Sequence, residues 1–296
     1  MRRLLLILVV ALGAIGALGW WTVGELDHTQ LTDAVHMYAG IGGNVGVLVT
    51  SEGVAVVDTM TFVRQGAAIR ARVRELTSQP IVAVLNTHYH LDHTHGNPAF
   101  PVGTKVISTA KTLAHLRALD ADFWKDSPAR DLLPNDTFDG PTKELRLGGK
   151  TIRSQYLGRG HTDGDMVVLF VEDRVLHTGD LLFHEHYPNI DLEAGGSVRE
   201  WPATLDKVLA LPFDTVIPGH GQATSRRSIE RYRDFMTSLW KQTATIRDRG
   251  GSVDDAVKLV NIEEFGLSPL WWVPTLNRGF VIHRAWQELT APRTAP

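Results

Sequence analysis

The chain has 296 residues, of which 43% are hydrophobic and 21% charged, enough to bury one large core, alone or with an appendage. Its net charge is −3 and no basic stripe runs along it, so the sequence offers no footprint for nucleic acid. It contains no cysteine, which excludes disulfides, thiolate metal ligands and a cysteine nucleophile.

Met1-Arg2-Arg3 opens the chain with positive charge, and Leu4 to Trp21 then runs without a charged or strongly polar side chain. Eighteen residues at ~1.5 Å each reach ~27 Å, about a bilayer core. The expected role of residues 1–24 is a membrane anchor or a signal peptide. Trp20 and Trp21 suit the interface in the first case; Ala17 and Gly19 suit cleavage in the second. Either places the rest of the chain outside the cytoplasm, membrane-anchored or secreted.

Glu25 to Thr32 turns polar and reads as a linker. Val45–Thr50 and Val54–Asp58 read as two strands joined by a Gly-containing turn. Asp58 closes the second strand, either as a turn cap or as an acceptor that orients a metal ligand. Phe62 to Leu76 has helical spacing, and the apolar Pro80–Leu85 is a buried strand. That strand ends in Asn86-Thr87-His88-Tyr89-His90-Leu91-Asp92-His93, four metal-ligand side chains within six residues. Neutral imidazole and carboxylate suit Zn²⁺ or a similar first-row ion.

Lys105–Ser108 is a further strand and Thr112–Leu119 a helix. Asp120 to Pro141, with three prolines, reads as a long loop that overhangs a site. An alternating pair, Leu145–Gly149 and Thr151–Leu157, leads to Gly160-His161. Met166–Val171 is a strand; Arg174–Thr178 is another, ending in Gly179-Asp180. Thr215–Ile217 ends in Pro218-Gly219-His220. His161, Asp180 and His220 thus each follow a β-like run and a glycine, which lets backbone crowd a centre. A core histidine explains one such residue; it does not explain four strand ends that repeat the pattern.

These residues resemble the metallo-β-lactamase superfamily. His88-Tyr89-His90-Leu91-Asp92-His93 matches its HxHxDH signature, and His161, Asp180 and His220 match its later motifs in order. The resemblance covers about residues 35 to 222, and Asp58 matches the acid that ends an early strand. It implies an α/β (α+β) fold, a four-layer αββα sandwich over 33–223, with a C-terminal helical extension over 224–292. It implies two metals, expected to be Zn²⁺, with iron or manganese as alternatives. His88, His90 and His161 hold one; Asp92, His93 and His220 hold the other; Asp180 bridges. The implied chemistry is hydrolysis: cations acidify a shared water from 15.7 toward about 7. The hydroxide attacks the carbonyl of an ester, lactone, thioester or β-lactam, and Asp92 shuttles the proton. Asp180 stands where many true β-lactamases carry Cys, so the chain is more similar to the glyoxalase II, lactonase and general hydrolase members. The rival readings are a mononuclear iron sulfur-oxygenase, resembling the persulfide dioxygenases, and a metal-holding protein without turnover.

Phe183 to Ser197 leaves the Asp180 strand end and is the expected substrate loop, with His184, His186 and Tyr187 as its candidate contacts for a small-molecule substrate. His95 and His177 read as surface or supporting residues. After His220 the spacing predicts helices through Ile229–Ile246, Ala256–Val260 (capped by Ser252 and Asp255) and Leu276–Leu289. Trp271-Trp272, between prolines, is expected to pack, to line the pocket or to make a dimer contact; the oligomeric state is left open.

Overall fold

The strands that the alternation predicts assemble into two stacked sheets. The computed structural model describes residues 24–291. The expected anchor or signal segment, Leu4–Trp21, lies outside them, and among the described residues no helix is long and apolar enough to cross a membrane. The first sheet runs β1 (Asp27–Gln30), β2 (Val35–Ala39), β3 (Val45–Thr50), β4 (Gly53–Val57), β5 (Ile81–Leu85), β6 (Lys105–Thr109) and β7 (Asp136–Phe138), paired in that order. Pairing is antiparallel to β4 and parallel from β4 onward. The second sheet is ordered β13-β12-β11-β10-β9-β8, from β8 (Thr142–Leu147), β9 (Lys150–Gln155), β10 (Val167–Phe170), β11 (Val175–His177), β12 (Thr215–Ile217) and β13 (Thr224–Ser225).

Successive side chains of a strand point to opposite faces, and this builds the layers. On β4, Ala55 and Val57 pack toward the second sheet, against Val168 and Phe170. Val54 and Val56 point the other way, onto Ile69 and Val73 of helix α1 (Val63–Leu76). On β10, Val168 and Phe170 face inward, while Val167 and Leu169 meet the outer helices. The result is helix, sheet, sheet, helix, the sandwich expected of the resemblance.

The helices beyond α1 are α2 (Leu91–Thr94), α3 (Ala110–Leu119), α4 (Ala121–Trp124), α5 (Trp201–Leu209), α6 (Arg226–Asp248), α7 (Val253–Leu259) and α8 (Arg278–Thr290). Helices α5 to α8 cover the second sheet through Trp201, Phe235, Leu239 and Val281. The Ser252 hydroxyl accepts from Asp255 N at 3.2 Å, and Asp255 Oδ2 accepts from Ser252 N at 2.9 Å, the reciprocal cap the sequence predicts.

Two expectations need correction. Glu25–Thr32 is not a linker: it contains β1, whose exposed residues pair with β2 as a sheet edge. Its polarity reflects that edge position. Asp120–Pro141 is not an overhanging loop: it holds α4 and β7, and none of its residues lines the cleft at the metal centre. Its prolines fall between short elements rather than inside a structureless span. Helix α5 carries no sequence prediction; its two apolar turns are too short to stand out.

Candidate metal centre

Each ligand-type side chain leaves the end of a strand. His88 follows β5, and His90, Asp92 and His93 lie at or in the single turn α2. His161 follows β9 after a short loop, Asp180 sits in the turn after β11, and His220 follows β12. Both sheets therefore contribute, and the side chains meet at one edge of the sandwich. His88, His90, His161 and Asp180 form one group and Asp92, His93 and His220 a second, with the ligand atoms of each group within 4.8 Å of one another.

Asp180 faces both groups. Its Oδ1 lies 3.1 Å from His93 Nε2 and 3.4 Å from His220 Nε2. Its Oδ2 lies 3.6 Å from His161 Nε2 and 3.8 Å from His88 Nε2. Asp92 Oδ2 lies 3.3 Å from His220 Nε2 and 3.7 Å from His93 Nε2. Gly219 makes room for this: a Cβ there would collide with the Asp180 carboxylate.

On His88, His90, His93 and His161 the ring nitrogen that points away from the centre is fixed by a partner, which sets the orientation of the one that points in. Asp58 lies under the site with φ of 62°, in the left-handed region that Asp tolerates better than most residues. Its Oδ2 lies 2.7 Å from His93 Nδ1 and accepts from the Thr87 hydroxyl at 2.7 Å. That hydroxyl oxygen lies 3.1 Å from His88 Nδ1, so Asp58 holds two imidazoles, one directly and one through Thr87. His161 Nδ1 lies 2.9 Å from the Asn189 carbonyl oxygen. His90 Nε2 lies 2.9 Å from Asp191 Oδ2, which also accepts from the Tyr89 hydroxyl at 2.5 Å.

Burial drives the His88 imidazole well below its usual range, and the charge on His93 adds to this. Burial likewise takes His161 down to about 4, with His90 pushing the same way. Burial also opposes charge on His93 and His220, but nearby carboxylates outweigh it. Asp180, Asp92 and Asp58 raise His93 well above the usual range; Asp180 and Asp92 carry His220 to about 9. Burial would raise Asp180, but His93, His220 and His88 hold it well below the carboxylate range. His88 and His161 thus present the neutral imidazole that a metal binds, while on the other side the carboxylates favour the charged form of His93 and His220.

The residues fit a divalent metal. The Nε2 atoms of His88 and His93 and the Oδ1 of Asp180 are buried without a hydrogen-bond partner. Buried polar atoms are normally satisfied, so these orphans, divided between the two ligand groups, fit cation-binding positions. The donor set is imidazole and carboxylate, which suits zinc.

Of the expected substrate-loop contacts, none lines the cleft over the centre. His184 turns to the Gln222 carbonyl oxygen at 3.1 Å, and His186 to that of Ser268 at 3.3 Å. Tyr187 is buried among the C-terminal helices. Phe183 and Asn189 reach the cleft instead. The strand-end pattern exposes ligands but not their supports: Asp191, Asn189 and Thr87 carry no spacing signal. Of the leftover histidines, His177 is buried, with Nε2 3.1 Å from the Asn44 carbonyl oxygen. His95 Nε2 lies 2.7 Å from Asp120 Oδ2.

Comparison with known proteins gives the same picture. The chain is 25% identical to the linear primary-alkylsulfatase of Pseudomonas sp. (strain ATCC 19151), over 71% of this chain and 48% of that protein. It is 29% identical to metallo-beta-lactamase IND-1 of Chryseobacterium indologenes, over 64% of this chain and 79% of that one. Among solved structures it resembles a stereoselective inverting sec-alkylsulfatase from Pseudomonas sp., with TM-score 0.70 and 15% identity, over 90% of this chain and 50% of that one. It also resembles a metallo-beta-lactamase from Pontibacter korlensis, with TM-score 0.61 and 20% identity, over 72% and 99%. The chain spans about half the length of the alkylsulfatases it matches. The sequence profile of the metallo-beta-lactamase superfamily matches residues 39–220, a span that begins on β2 and ends on the last ligand-type histidine of the centre. With sandwich, ligand order and profile in agreement, the chain belongs to the metallo-beta-lactamase superfamily.

Proposed function

We propose that the chain is a metal-dependent hydrolase with two zinc ions per chain, acting on the carbonyl of an ester, lactone, thioester or β-lactam. The observation that carries this reading is the Asp180 carboxylate, with one oxygen toward each of two ligand groups. His88, His90 and His161 would hold one ion and Asp92, His93 and His220 the other, with Asp180 between them. Bound there, the pair supplies an acidified water and a Lewis acid for the carbonyl oxygen. Asp58, Thr87, Asn189 and Asp191 keep the imidazoles aimed and in one tautomer. The partly exposed Asp92 side chain lies where the cleft meets the centre, and its carboxylate relays protons to solvent.

The test is metal analysis of the purified chain beside turnover on a chromogenic ester, lactone and cephalosporin panel. About two zinc per chain, with turnover that His88→Ala or His161→Ala abolishes while the fold survives, is the expected result. One iron per chain points to oxygen chemistry. Two zinc with no turnover leaves a metal-holding protein.

A further inference from the structure

The cleft over the metal centre has a volume of about 320 Å³, at the small end for a small-molecule site. Ile41, Leu91 and Phe183 from the sandwich form part of its wall. Leu270, Trp272 and Leu276, from the segment before α8, close the opposite part. Among the described residues its polar groups, apart from the metal-facing side chains, are Thr61, Asn189 and the indole N–H of Trp272, and no lysine or arginine lines it. The opening beside it, which shares Ile41 and Trp272, carries Glu25 and Asp27. Arg227 and Arg231 line a different cavity, which shares only Phe183 with the cleft.

A carboxylate brought into such a wall loses hydration and finds no cation beyond the metal centre, where the reacting carbonyl must sit. Glu25 and Asp27 in the adjoining cavity add like charge beside the cleft. An apolar chain meets the opposite conditions: each methylene it buries favours binding about fourfold. The mouth continues the same surface, with Leu91 49% and Trp271 74% exposed. Single exposed apolar residues are ordinary, but two beside one cleft extend its apolar wall into the entrance.

We propose that the cleft takes an uncharged ester or lactone bearing an apolar chain, and discriminates against substrates that carry a carboxylate beside the reacting carbonyl. This rests on the hydrolase reading above. In the reaction water supplies the hydroxyl of the new acid, the acyl C–O bond breaks, and the alkoxide takes a proton to leave as the alcohol.

The test uses the full-length chain. With zinc bound, 4-nitrophenyl esters from acetyl to decanoyl are compared with the hemisuccinate ester, a cephalosporin and an alkyl sulfate. The kcat/KM is expected to rise about two- to fourfold per methylene until the cleft fills. The hemisuccinate should fall about tenfold or more below the butyrate. Leu276→Arg, which adds a cation to the wall, should narrow that gap about tenfold. A second readout needs no turnover: calorimetry on metal-free chain with a medium-chain methyl ketone and the fatty carboxylate of equal length. The ketone should bind more tightly. Preference for the hemisuccinate, cephalosporin or alkyl sulfate, or tighter carboxylate binding, overturns the proposal. If nothing in the panel turns over, the hydrolase reading fails instead, and the calorimetry alone decides whether the cleft selects an uncharged apolar ligand.

Discussion

Asp180 and Asp191 are both carboxylates beside histidines, and they should fail in different ways when neutralised. Asp180 is 4% exposed and aims its two oxygens at two ligand groups. Asn there keeps the size but loses the charge that offsets two dications. Asp180→Asn is expected to keep the fold, fall to about one bound metal and lose roughly 10²-fold or more in turnover. Asp191 touches no metal-facing atom; it accepts from His90 Nε2 and from the Tyr89 hydroxyl. Asp191→Asn should hold both metals at saturating zinc but bind one of them about 10–100-fold more weakly, with kcat recovering as zinc is added. Zinc titration followed by activity separates the two. Equal behaviour of the variants would remove either the bridging role or the positioning role.

At the scale of elements, α5 braces two of the loops that build the centre. Trp201, at its first turn, is fully buried and donates from Nε1 to the Leu181 carbonyl oxygen at 3.1 Å. Leu181 belongs to the turn that carries Asp180, and a Cβ on Gly160, next to His161, would press on both Leu181 and Trp201. Trp201→Phe retains the packing but leaves a buried carbonyl without its donor, which costs about 1–3 kcal/mol. Chemical unfolding should show that loss, accompanied by weaker zinc binding; a stability loss with unchanged zinc affinity would make α5 a core element only. The sequence shows the ligands because each terminates an apolar run, a local pattern. It does not show α5 as their brace, because that relation joins residues far apart in the chain. For the same reason β1 reads as linker: an exposed edge strand has no alternation to display. His184 and His186 illustrate the converse. Their position after the Asp180 turn is legible, but the direction of their side chains is set by the Gln222 and Ser268 carbonyl groups on other segments.

For the whole molecule, two consequences reach beyond the cleft. The Leu4–Trp21 run leads us to propose export, and a reporter fused after Leu31 should be active only outside the cytoplasm; cytoplasmic activity would sink both the anchor and the signal-peptide expectations. The second consequence is mechanical. Within the first group His88 leaves the first sheet, while His161 and Asp180 leave the second. In the second group Asp92 and His93 follow the first sheet and His220 the second. Each bound ion would therefore tie the two sheets together at the edge where their strand ends meet. Metal that binds only the folded chain stabilises it by about 2.7 kcal/mol when present at a hundredfold excess over its Kd. For a chain of this size that corresponds to roughly 4–5 °C in Tm for each ion. Chelation should lower the Tm by that amount, and zinc should restore it. The link between sheets gives a sharper expectation. His161→Ala cuts the second-sheet side of one group, and His88→Ala the first-sheet side; either should abolish much of the zinc-dependent shift, read against the metal-free Tm of the same variant, because both side chains are buried and His161 also lies against Phe183 and Trp201. A zinc-dependent shift that survives both substitutions would place the stabilising metal elsewhere in the chain.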